Sequence, residues 1–144
     1  MACAFSEEVG VDESVLFKAC EGFGLGMGCM ECTCGALSGA ITLAGFQNSD
    51  GNIDDPQTKA ATYRLASQLV QRFKEKTGST VCRELKGIDT GTILHSCPDC
   101  IMDGVFCAAL LHKADSICFI PASKLPRGSN TPLLCSAASL IPLW

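Results

Sequence analysis

Basic side chains, aromatics and histidines are all scarce in this 144-residue chain. Eleven Lys and Arg stand against fifteen Asp and Glu, a net charge of −4. The basic residues gather into no patch or stripe of the kind that holds nucleic acid. Charged residues make up 18% of the chain, where about 25% is usual, and aromatics only 6%. With two histidines, His95 and His112, no Ser/His/Asp set stands out, and no paired carboxylates do. Long apolar runs are missing too. The longest uncharged one, Cys34 to Phe46, is 13 residues and includes Ser38 and Thr42, which is short of the ~20 a membrane span needs. It reads as a buried core helix. The opening MACAFSEEVG has no basic region and carries Glu7 and Glu8 where a signal peptide would be apolar. A soluble, cytoplasmic protein is expected.

Cysteine is what the chain has in excess. There are eleven, an odd number that forbids complete intramolecular pairing. In a reducing compartment cysteines serve metals or redox chemistry more often than structural disulfides. Any chemistry here is thiol chemistry.

Helical periodicity and loop residues account for the chain as far as His112. Asp12 caps a helix to about Phe23 that carries Val15, Leu16, Ala19 and Cys20. Gly22, Gly24, Gly26 and Gly28 then form a tightly turning loop. No Gly-Lys-Ser/Thr follows it and no β-like run precedes it, so it fits neither phosphate-binding nor dinucleotide fingerprints. Thr33 is placed to cap a helix from Cys34 to about Ala44. Its Gly35 and Gly39 each cost roughly 0.8–1 kcal/mol against alanine, which close approach of a neighbouring backbone would offset. Asp55-Pro56 opens the clearest amphipathic helix, with Ala61, Leu65, Leu69, Val70 and Phe73 on one face and a stop at Gly78. Ser79 or Thr80 caps a short helix ended by Gly87, and Ser96 caps one beginning Cys97-Pro98-Asp99-Cys100. The fold class is therefore all-α: a single helical, cysteine-rich domain over residues 1–115. Residues 116–144, broken by Pro121, Pro126, Pro132 and Pro142, read as an irregular tail on which Cys118 and Cys135 carry no function.

Cys34, Cys82 and Cys97 each fall in the first turn of an expected helix. Unpaired amides and the helix dipole there stabilise a thiolate, which is both the exchanging nucleophile and the metal-binding form. Arg83 beside Cys82 would push the same way. Cys97-x-x-Cys100 at a helix start is the arrangement of thiol–disulfide oxidoreductases, although no thioredoxin strand precedes it. A second reading makes Cys29, Cys32, Cys34, Cys82, Cys97 and Cys100 ligands of zinc or an iron–sulfur cluster, with pairs ~65 residues apart rather than the usual ~12–20. Cys20 and Cys107 lie on apolar faces and read as core. His95 reads as a solvent-exposed loop residue and His112 as a helix C-terminal one.

The segments Gly22-Phe23-Gly24-Leu25-Gly26-Met27-Gly28, Cys34-Gly35-Ala36-Leu37-Ser38-Gly39, Val81-Cys82-Arg83-Glu84-Leu85-Lys86-Gly87 and Cys97-Pro98-Asp99-Cys100 occur in this order. Together they resemble the C_GCAxxG_C_C family of small cysteine-rich proteins, over about residues 3 to 112. The resemblance implies a helical protein that is redox-active through four cysteines. The family's first cysteine sits in an Asn-Cys-Ala-type segment before an Ala-Phe pair. Here Ala4-Phe5 follows almost directly on Met1, so that cysteine has no counterpart and Cys3 is out of register. The expected function is thiol–disulfide or electron-transfer chemistry by Cys34, Cys82 and Cys97, with Cys100 as resolving thiol and a redox partner of unspecified kind. Its alternatives are a non-catalytic metal-binding protein and a small interaction protein whose cysteines fill the core.

Overall fold

The computed structural model describes residues 1–111. The tail, His112, Cys118 and Cys135 lie outside them. Among the described residues the chain is helical and no strand forms. After a 3-10 turn, Ala2–Phe5, come α1 (Ser6–Val9), α2 (Glu13–Cys20), a second 3-10 turn (Glu21–Phe23) and α3 (Gly24–Met27). The longer helices α4 (Gly35–Asn48), α5 (Lys59–Thr77) and α7 (Cys97–Leu111) follow, with the single turn α6 (Cys82–Leu85) between the last two. None of these helices is long and apolar enough to cross a membrane.

The central element is α4, formed by the apolar run of the sequence. Ala36, Leu37, Ala40, Leu43 and Ala44 are all buried, against α5 on one side and α7 on another. Small residues set how closely these helices approach. A Cβ on Gly104 of α7 would stand 2.9 Å from the Ala36 carbonyl oxygen, so the two helices meet nearly backbone to backbone. On Gly35 a Cβ would lie 2.5 Å from the carbonyl oxygen of Phe23, and on Gly39 it would lie 2.9 Å from the Met1 side chain. The glycine cost in α4 is thus matched by close approach, of backbone at Gly35 and of a flexible side chain at Gly39.

Helix α5 contributes Leu69 and Phe73 to the core. It begins at Lys59, not at the expected Asp55-Pro56. Side chains hold the preceding loop, and Asp50 takes the Gln57 amide, which would have lain in the first turn of the expected helix. Asp50 accepts from the Asn52 and Gln57 amides, and Asn52 Oδ1 accepts from those of Asp54 and Asp55. The helix ends where expected, with Gly78 left-handed at φ 86°. Helix α4 starts one residue later than expected, with Cys34 instead of Thr33 at the cap position. In α2 only Leu16 is buried. Val15 and Ala19 face solvent, so the apolar stripe expected there is narrower than four residues.

Asp103 of α7, buried, lies 2.5 Å from Lys76 Nζ of α5 and 2.9 Å from His95 Nε2. His95 is therefore half-buried and held, where an exposed loop histidine was expected. One carboxylate ties α5, α7 and the segment leading into α7.

Candidate functional site

Three helix starts are brought together by backbone bonds that local sequence does not announce. Thr33 and Val81 form an isolated antiparallel bridge. Within it the Cys34 amide donates to Thr80 O at 2.7 Å and the Cys82 amide to Cys32 O at 3.1 Å. The starts of α4 and α6 are thereby stitched side by side. The amides of Leu94 and His95 both donate to Leu85 O at 3.0 Å, which ties the approach to α7 onto the end of α6. The close α4–α7 contact at Gly104 then sets Cys100, one turn earlier, beside Cys34. The result is a cavity of about 240 Å³ whose lining includes Cys34, Cys82, Cys97, Cys100, Lys86 and Phe23. Cys97 is exposed, while the other three thiols are buried.

The turn before Cys34 is strained. Leu25, Met27 and Met30 have φ of 52°, 60° and 65°, a region that costs a side-chain-bearing residue roughly 1–2 kcal/mol. Between them Gly26, at φ 57°, leaves no room for a side chain: a Cβ would be 2.6 Å from the Cys82 Cβ and 2.8 Å from Cys32 O. The glycines marked a turn in the sequence. Nothing marked the left-handed Leu and Met residues.

The thiols are electrostatically unequal. Cys34 is held well below the ordinary thiol value of 9.0, at about 6, chiefly by a hydrogen bond from the Cys100 thiol. Burial opposes this, and the Ala36 and Leu37 amides and the Lys86 ammonium assist it. No full capping hydrogen bond closes at Cys34, yet those two amides belong to the first turn of α4, where a cap side chain would be received. The Cys100 thiol is pushed far up, because its proton is shared with the Cys34 sulfur and because it is buried. Cys82 is also raised, by burial and then by the Cys34 charge. The helix-start location therefore does not favour a thiolate at Cys82 as expected. Nor does Arg83 contribute: its guanidinium grips Asp89 through Nε and Nη2 and reaches Glu31 at 3.0 Å. The cation that serves the cavity is Lys86, four residues after Cys82 and so on the same helical face. That spacing was readable in the sequence.

Of the remaining cysteines, Cys107 is buried in the core and Cys20 is half-buried at the cavity edge, and burial raises both thiols. Cys29 and Cys32 are exposed and lie outside the cavity lining, and Cys29 raises the Cys32 thiol. Among the described residues no three His, Cys, Asp or Glu side chains are disposed to hold one metal ion. Of the six cysteines of the metal reading, Cys34, Cys82, Cys97 and Cys100 share the cavity lining, whereas Cys29 and Cys32 stand apart from it.

The Cys34 ionisation makes stability depend on pH. From about pH 6 to the ordinary thiol range the folded chain carries a thiolate where the unfolded chain still binds a proton. The unfolded state then holds more protons, so stability rises with pH across this window. Above it, the raised Cys100 and Cys82 thiols reverse the trend. Urea midpoints should climb from pH 5.5 to 8.5 and stay level over that range in the Cys34→Ala protein. A rise of equal size in both proteins would assign the effect elsewhere.

A helical domain with Cys34, Cys82, Cys97 and Cys100 lining one cavity belongs to the class of small cysteine-rich proteins. The chain is a member of the family described as "Putative redox-active protein (C_GCAxxG_C_C)", which it matches over residues 1–111. No curated protein and no solved structure matches it.

Proposed function

We propose that the protein is a dithiol redox protein whose working pair is Cys34 and Cys100. The observation that carries this is the meeting of Cys34 and Cys100 in one cavity lining at the start of α4, where the two thiols shift each other's ionisation in opposite directions. It supplies a nucleophile ionised at neutral pH and a resolving thiol beside it. In exchange, the Cys34 thiolate attacks one sulfur of a small disulfide and expels the other as a thiolate. Cys100 then attacks Cys34, its proton passing to the departing sulfur. The products are a Cys34–Cys100 disulfide and two substrate thiols, so the pair loses two electrons and the substrate gains them. A dithiol reductant returns the pair to its starting state. Lys86 offsets the negative charge in the cavity throughout. Cys97, exposed at the rim, is placed to meet larger reactants, and Cys82 stays protonated beside the pair.

Equilibration with oxidised and reduced dithiothreitol, followed by acid quench and peptide mass mapping, tests the pairing. A Cys34–Cys100 disulfide is expected as the dominant oxidised species. A Cys97–Cys100 disulfide in its place would move the chemistry to the C-x-x-C motif and leave Cys34 without the role proposed. Metal and visible absorbance retained through anaerobic purification, with all four cavity thiols protected from alkylation, would also defeat the dithiol reading.

A further inference from the structure

The strained turn carries a second pair of thiols that the buried site does not use. Cys29 and Cys32 are both exposed, stand three residues apart, and lie near enough for Cys29 to raise the Cys32 thiol. Cys29 Sγ also lies 3.5 Å from Gly26 O, which fixes its side chain against the turn. The loop between them is anchored at two points. Glu31 pairs with Arg83 at 3.0 Å, and the Met30 carbonyl accepts the Arg83 amide at 2.8 Å. Two exposed thiols in a C-x-x-C spacing, neighbours on an anchored loop, need little motion to close a bond. Leu25 and Met27 of the same turn are about half exposed and offer apolar surface next to them.

We infer that Cys29 and Cys32 form a separate surface dithiol that exchanges with disulfides displayed on proteins or peptides, which the buried pair cannot reach. Cys34 is only 7% exposed and opens on a cavity of about 240 Å³, so a disulfide embedded in a polypeptide has no access to it. In the first step the Cys29 sulfur, as thiolate, bonds to one sulfur of the target disulfide and releases the other as a thiolate. Cys32 then attacks Cys29, giving up its proton to the leaving sulfur. A Cys29–Cys32 disulfide and two target thiols result, with two electrons passed to the target. Cys32 suits the second step because Cys29 raises its thiol and keeps it protonated until then.

The test uses full-length protein carrying Cys97→Ser, so that the exposed cavity-rim thiol does not compete. Reduced protein is mixed anaerobically with a short peptide closed by one disulfide, quenched in acid and mapped. Reduction of the peptide with formation of a Cys29–Cys32 disulfide is expected, and adding Cys32→Ser should trap the peptide on Cys29. Cys29→Ser with Cys32→Ser should slow peptide reduction by about tenfold or more, since among the described residues the other thiols left in this protein are buried or half-buried. Bis(2-hydroxyethyl) disulfide, small enough for the cavity, reports on Cys34 and Cys100 separately, so a failure of that pair is distinguishable from a failure of this one. Peptide reduction at an unchanged rate after the double substitution would overturn the inference. Separate adducts on Cys29 and Cys32 with no bond between them would do the same.

Discussion

Cys34→Ser should cost about a factor of ten in the rate of exchange with a small disulfide at pH 6, and little at pH 8.5. At pH 6 a thiol held at about 6 is roughly half ionised, whereas one near 8.5 is ~0.3% ionised, a ratio on the order of 160. Lower basicity also means lower nucleophilicity, which takes back roughly 10- to 18-fold over that span. The two effects leave about tenfold. At pH 8.5 the other thiols are ionised as well and the advantage disappears. Serine at the cap position can still receive the Ala36 and Leu37 amides, so the fold should persist. Cys100→Ala is the companion variant: it removes the main donor to Cys34, and the inflection of the rate profile should move from near 6 towards the ordinary thiol range. An inflection near 6 that survives in the Cys34→Ser protein would show that another group produces it.

Two glycine-to-alanine substitutions in α4 should change stability in opposite directions. At Gly35 the new Cβ would lie 2.5 Å from the Phe23 carbonyl oxygen, a backbone atom that cannot turn aside. Forcing the turn away should cost about 1–3 kcal/mol and lower the melting temperature by roughly 5–15 °C. It would also displace the turn that leads into Cys34, so the Cys34 pH profile should broaden or shift. A Cβ on Gly45, an ordinary helical residue, would meet no atom within 4 Å. Alanine there should stabilise by about 0.4–1 kcal/mol, through helix propensity and a less flexible unfolded chain. Thermal scans of the two proteins under the same conditions decide the matter. Equal shifts of one sign would mean that propensity, and not the Phe23 contact, governs both positions.

Much of the helical skeleton could be read from the sequence because its signals are local. Asp12 and Ser96 mark helix starts, Gly78 marks a stop, and the buried run after Cys34 declares itself by composition. Where a side chain competes for the same amide, local reading slips, as at Asp50, and α5 starts only at Lys59. Helix-start cysteines were recognisable too, but their inequality was not. The favour shown to Cys34 depends on Cys100, whose partnership requires Gly104 to seat α7 against Ala36. Arg83 looked like the helpful cation because it adjoins Cys82 in sequence. Asp89 and Glu31 claim it instead, and Lys86 takes that place.

The bridge between Thr33 and Val81 also sets a timetable. Cys34 lies early in the chain, whereas the carbonyl that receives its amide, Thr80, and the thiol that ionises its sulfur, Cys100, lie far behind it. Synthesis proceeds from the N-terminus at ~5–20 residues per second, so for several seconds Cys34 is present without either partner. During that interval it is an ordinary, mostly protonated sulfhydryl, slow to combine with passing oxidants or with neighbouring chains. On the dithiol reading its reactivity arrives only when α7 docks. On the same reading, the Cys34 sulfur thus stays dormant until the surroundings that shield it are complete.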